Sequence, residues 1–318
     1  MRLHKSLLLF FTFMLVLGTL AGCGTTAGKQ TEANAGAQAG TRIIKHGLGE
    51  TQIKGTPQRV VVLELGFIES LLAVGVKPIG VAEDNKPNLI DDEVRKAIEG
   101  YKSVGTRAQP SFEIIKTLKP DLIVADVDRH KNAYAELSKI APTIAVKNLN
   151  ATYQDTIDAA LVIADAVGKK AEAEKFVAAH KAKVQQLRAK APKDNPSVLL
   201  VAERDKVFNA RTLQFFSPGL LEAIGLNYAF KNQTDEYSVK MTIEQLLQID
   251  PDVLILMQTV DGKSSIPAWA DNPLWKNLKA VKNNRVYEVD VTTWSLRRSV
   301  QGAEKIMDEA EKLIFKSK

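Results

Sequence analysis

Arginine is the residue type whose placement in this chain suggests chemistry. Arg107 stands in the loop Val104-Gly105-Thr106-Arg107-Ala108-Gln109-Pro110, just before a helix expected to begin near Ser111. Arg129 follows the apolar run of residues 122–125, at the strand end where ligand clefts form. Arg297 and Arg298 come shortly after Trp294. A guanidinium stays charged and donates two parallel hydrogen bonds to one carboxylate, so arginines in such loops suit an anionic small molecule. Other chemistries lack their residues. Cys23 is the one cysteine, and His46, His130 and His180 lie far apart in sequence, which leaves no His/Cys set for a transition metal. There is no Gly-x-Ser-x-Gly elbow, phosphate loop or His-Glu-x-x-His, and no carboxylate pair carries a supporting glycosidase motif. The expectation is a binding protein rather than an enzyme, with no catalytic residue, resident metal or cofactor.

The elements that must position these residues come as two half-copies. Ser111-Phe112-Glu113, Lys119-Pro120-Asp121 and Leu122-Ile123-Val124 parallel Thr242-Ile243-Glu244, Asp250-Pro251-Asp252 and Val253-Leu254-Ile255. Each half opens a helix with a hydroxyl N-cap and a first-turn glutamate, stops it before proline, and enters a wholly apolar strand. Residues 71–76 and 221–226 form a second pair, each a helix end closed by glycine, with strand candidates at 59–64 and 197–203 upstream. Strands alternating with helices predict a parallel α/β arrangement. Between the halves, residues 152–167 place apolar side chains at helical spacing and Gly168 interrupts them. Residues 170–190 then run without Gly or Pro, about 30 Å as a helix. The expected fold is α/β, with two Rossmann-like lobes (42–168 and 196–318) joined by a single long helix within 169–195 and a ligand cleft between them.

The first forty residues speak of compartment. Arg2 and Lys5 precede an apolar run, residues 7–20, that ends at Leu20-Ala21-Gly22-Cys23. A basic head, a short apolar middle and small residues at the cleavage point predict a signal peptide over 1–22. Leu-Ala-Gly-Cys resembles a bacterial lipobox, which makes Cys23 the lipidated residue and a membrane anchor without a spanning helix. Residues 23–41, rich in Gly, Ala, Thr and Gln, read as a flexible tether. The formal net charge is +6, or +4 without Arg2 and Lys5, a mild excess that suits an anionic ligand. An export signal with no aromatic-plus-basic motif argues against nucleic acid.

With these stretches in view, the chain resembles the iron-siderophore binding proteins of ABC importers, most closely the ferric-dicitrate-binding group. Pro57-Gln58-Arg59-Val60-Val61-Val62-Leu63-Glu64, Gly105-Thr106-Arg107-Ala108-Gln109-Pro110, Arg129-His130 and Val289-Asp290 with Thr293-Trp294 carry the resemblance. It implies a monomeric extracytoplasmic lipoprotein that captures a ferric chelate, iron(III)-dicitrate foremost, for an ABC permease and its ATPase. It also implies that the chelator fills the iron, so the protein supplies donors to outer carboxylates. Arg107 and Arg129 then form one wall, with His130 structural, and Trp294, Arg297 and Arg298 the other. Glu64, Lys147 and Thr212 are further ligand-binding candidates. Where the ferric-dicitrate pattern has a basic residue two positions after the tryptophan, this chain has Leu296, which leaves a catecholate or other siderophore as the alternative. A ligand-sensing receptor domain is the alternative of another class. One acidic residue per lobe is expected to meet the permease, here Glu69 and Glu222 on paired helices.

Overall fold

The computed structural model describes residues 40–204, 207–231 and 235–315. The signal segment, Cys23 and the tether up to residue 39 lie outside the described residues. The chain opens with an antiparallel hairpin, β1 (Thr41–His46) and β2 (Gly49–Lys54). The first lobe is a parallel sheet of β3 (Val60–Val62), β4 (Gly80–Val81), β5 (Lys102–Ser103), β6 (Leu122–Asp126) and β7 (Thr143–Val146), in the order β5-β4-β3-β6-β7. Its helices are α1 (Leu65–Leu72), α2 (Asp92–Ala97), α3 (Phe112–Thr117) and α4 (Tyr134–Ile140). Every residue of β3 and β6 is buried, as expected of strands covered on both faces.

Two helices lead to the second lobe, α5 (Tyr153–Ala166) and α6 (Lys170–Arg188), separated where Gly168 takes φ +71°. The second of these is the bridge. Ala173 near its start joins the first lobe's core, while Val184 and Leu187 near its end join the second's.

The second lobe contains β8 (Ser197–Arg204), β9 (Val207–Arg211), β10 (Asn227–Tyr228), β11 (Ser238–Met241), β12 (Val253–Met257) and β13 (Val286–Val289). Strands β8, β10, β12 and β13 are parallel, but β9 runs back antiparallel to β8 and pairs with β11. Its helices are α7 (Phe216–Ala223), α8 (Ile243–Ile249), α9 (Pro273–Asn277), α10 (Lys279–Lys282) and α11 (Val300–Ala310).

The internal repeat extends to individual hydrogen bonds. Ser111 and Thr242 cap α3 and α8, accepting from the N–H of Ile114 at 3.3 Å and of Gln245 at 3.4 Å. Lys119 and Asp250, each before a proline, both take the left-handed conformation (φ 46° and 43°). The aspartate after each proline then ties down a neighbouring strand. Asp121 accepts from the N–H groups of Gln58 and Arg59, and Asp252 from the N–H and hydroxyl of Ser197.

Candidate ligand-binding site

Parallel strands deliver the loops that follow them to one end of a sheet, and the charged side chains of the first lobe gather there. Glu64, just after β3, is fully buried. Its Oε1 accepts from Arg129 Nε at 2.5 Å, and Arg107 Nη1 lies 3.8 Å from its Oε2. Burial pushes the Glu64 carboxyl up, against the pull of Arg129 and Arg107. Asp84, beyond β4, accepts from the Arg107 backbone N–H at 2.8 Å and from its Nε and Nη2 at 3.1 and 2.5 Å.

Asp126, the last residue of β6, accepts the backbone N–H groups of Asp128, Arg129, Asn148 and Leu149 at 2.6 to 3.0 Å. It thereby ties the Arg129 loop to the loop after β7. His130 Nδ1 accepts from the Asp126 N–H at 2.9 Å, so Nε2 carries the proton and donates to the Arg107 carbonyl at 2.7 Å. Burial holds this imidazole below its ordinary value and hence neutral.

Facing this wall is a cavity of about 680 Å³. It is bounded by the ends of β8 and β12, the outward side chains of β9, the segment after β13, and Leu149 and Asn150 of the first lobe. Arg298 lines it and is 7% exposed. Its Nη1 reaches Asn148 Oδ1 at 3.4 Å and its Cζ stands 5.1 Å from the Phe215 ring centre, while Nε is buried without a hydrogen-bond partner. Arg211 approaches the same ring at 4.8 Å and the Tyr237 ring at 5.8 Å, and its Nε is likewise unpartnered. Burial pushes both guanidiniums down, Arg298 to about 10. Among the described residues neither has a carboxylate at ion-pair distance. The cluster of Arg107, Arg129, Arg211 and Arg298 against Glu64 and Asp84 carries an excess of two positive charges. Desolvated cations without counter-ions favour an anion in the adjoining cavity.

The family model described as Periplasmic binding protein matches residues 60–292, from β3 to just beyond β13. The chain belongs to the periplasmic binding protein family. Among its relatives is YhfQ of Bacillus subtilis, whose name assigns it provisionally to the ABC transporter substrate-binding lipoproteins. That protein is 48% identical over 97% of this chain and 98% of its own length. The Fe(3+)-citrate-binding protein YfmC of Bacillus subtilis is 38% identical over 99% of both chains. Of solved structures, Staphylococcus aureus SirA, complexed with staphyloferrin B, has a TM-score of 0.75 at 28% identity. The match covers 86% of this chain and 98% of that one.

In this periplasmic binding protein the residues singled out from the sequence divide. Arg107, Arg129 and Arg298 are brought together around Glu64, which corrects the reading of Glu64 as a ligand contact. Fully buried, it holds the two arginines instead. Trp294 is not a wall of the cavity. It is 0% exposed, in the π-helical turn Thr292–Leu296, and its Nε1 donates to Glu309 at 2.6 Å. Arg297 also leaves the site. The chain from Arg297 to Ser299 is non-helical, so neighbouring side chains diverge, and Arg297 pairs with Glu69 and Asp91. The same pair removes Glu69 from the outer surface, where permease docking would need it, because its carboxylate is buried. Thr212 is buried with its hydroxyl donated to the Glu236 carbonyl at 2.6 Å. Lys147 is half exposed, 3.8 Å from Asp155, and does not line the cavity.

Arg211, Phe215 and Tyr237 were the residues that sequence reasoning missed. Their signal was alternation in Val207-Phe208-Asn209-Ala210-Arg211. Phe208 and Ala210 are buried, while Asn209 and Arg211 face the cavity.

Proposed function

We propose that this periplasmic binding protein captures an anionic ferric chelate, ferric citrate foremost, outside the membrane and delivers it to an ABC permease with its ATPase. One observation carries the reading: Arg211, half-buried, and Arg298, buried, line one cavity and have no carboxylate partner among the described residues. Iron is the cargo, recognised through the outer carboxylates of its chelator. The name of YfmC supports citrate, and a lipid on Cys23 accords with the lipoprotein name of YhfQ.

For docking, Glu222 keeps a part-exposed side chain. The repeat supplies a matched pair as well, Glu113 and Glu244, exposed in the first turns of α3 and α8. Both helices start on the side of their lobe where the strand-end loops gather. Calorimetric titration of the full chain with ferric citrate, iron-free citrate and a ferric catecholate tests the ligand. Saturable binding of ferric citrate, lost in Arg298→Ala, is the expected result. Binding of the catecholate alone would replace citrate, and binding of none would overturn the proposal.

A further inference from the structure

The two acids of the arginine cluster differ in where they stand. Glu64 has no exposure at all, while the Asp84 side chain is 27% exposed on a loop. Asp84 and Asn85 both take left-handed backbone conformations (φ 63° and 54°), which turn the chain after β4 and set the Asp84 carboxylate on Arg107. That carboxylate takes Nε and Nη2, the edge of the guanidinium fork a bound carboxylate would use. Among the described residues Arg211 and Arg298 have no such rival, and the Nε of each is without a hydrogen-bond partner. An anion entering the cavity therefore meets Arg211 and Arg298 first, while Arg107, 11% exposed and outside the cavity's own lining, is already paired.

We propose that Asp84 is a competitor built into the site, which a ligand carboxylate must displace from Arg107, and that it thereby determines how much negative charge a chelate needs in order to bind. The proposal rests on the reading of the cavity as an anionic-chelate site. Displacing Asp84 gives up its ion pair with Arg107, so a chelate gains there only when it brings a carboxylate beyond those held by Arg211 and Arg298 that binds Arg107 better than Asp84 does. Discrimination by an internal rival is specificity against weaker anions rather than added affinity for the right one. Burial pushes the Asp84 carboxyl up, but the hydrogen bonds and charge of Arg107 outweigh it and hold the group below the usual carboxylate value. The rival thus stays ionised at neutral pH.

The test is Asp84→Asn in the full chain. Asparagine tolerates the left-handed conformation, and its amide oxygen can still accept the Arg107 backbone N–H, so chiefly the charge is lost. Calorimetry should show ferric citrate binding about tenfold more tightly and iron-free citrate gaining at least as much. If Asp84 merely orients Arg107, the variant binds more weakly at unchanged melting temperature, and that result, or no change, overturns the proposal. A second readout does not depend on the chelate. The Arg107 Nε–H resonance, followed by NMR during a sulfate titration, should move in Asp84→Asn at concentrations that leave the wild type unmoved. Equal responses in the two proteins would also overturn it. Should the wild type ignore ferric citrate while the sulfate contrast holds, the competitor stands and the citrate assignment falls. Asp84→Gly, which suits the same backbone, repeats both measurements if the asparagine variant folds poorly.

Discussion

Arg297 of the second lobe and Glu69 of the first are each other's partner. Arg297 Nη2 donates to Glu69 Oε1, and its Nε donates to Oε2 at 3.3 Å. Ser299 Oγ adds a bond to Glu69 Oε2 at 2.6 Å, and Asp91 takes Arg297 Nη1 at 3.0 Å and Lys305 Nζ at 2.8 Å. Two residues that the sequence assigned to a ligand wall and to a docking surface instead form one buried joint between α1 and the start of α11.

Removing one partner of such a joint leaves the other charge buried. Glu69→Ala is expected to cost about 3 to 5 kcal/mol in urea unfolding. Ferric citrate affinity should change by no more than about twofold, since Arg297 does not line the main cavity. A large loss of affinity at intact stability would return these residues to the binding site.

Arg298 should behave in the opposite way. It is a buried cation whose side chain, among the described residues, hydrogen-bonds only Asn148, at 3.4 Å, near the Phe215 ring. Arg298→Met removes an uncompensated charge and keeps much of the volume, so stability should rise by about 1 kcal/mol or more. Binding of the chelate should fall by about 100-fold in the same variant. Thermal denaturation and calorimetry on one preparation decide both, and a destabilised variant would mean that Arg298 is structural.

What the sequence made legible was local. Hydroxyl caps, the Pro-Asp junctions and the glycines at 75 and 225 each determine a backbone conformation within a few residues, and each recurs once per lobe. Arg107 and Arg129 were readable because their loops follow strands of an all-parallel sheet. The second wall was less so. Arg211 lies on an antiparallel strand inside a lobe expected to be parallel, and the π-helical turn before Arg297 breaks the periodicity by which Trp294 could have been placed inward. Long-range pairing fixed the remaining assignments, as in Arg297 with Glu69, 228 residues apart.

At Gly66 the backbones of the two lobes approach closely beside the site. A Cβ there would lie 2.1 Å from the Arg298 carbonyl oxygen and 2.6 Å from Asn148 Nδ2, the two atoms that share a 3.2 Å hydrogen bond. Backbone cannot yield to a methyl group as a flexible side chain can. Gly66→Ala should therefore destabilise by about 1 to 3 kcal/mol and weaken binding by displacing Arg298. Unchanged stability and affinity would show that the lobes part more readily than this contact implies.

Acid should loosen the first-lobe wall through His130. Its Nδ1 must be unprotonated to accept the Asp126 N–H, and its Nε2–H holds the Arg107 carbonyl. Burial places its folded-state pKa below the ordinary 6.5. Between those two values the unfolded chain binds more protons than the folded one, so stability falls as pH drops below about 6.5 and levels off below the folded pKa. At higher pH the full contribution is present. His46 and His180 are shifted in the same direction by burial and add to the same window. His130→Gln, which keeps a donor and an acceptor but does not titrate, should reduce this slope by at most about 1.4 kcal/mol per pH unit. Unfolding curves for both proteins between about pH 5 and 8 give the comparison. Equal slopes would mean that His130 takes up its proton as readily in the folded protein as in the unfolded chain.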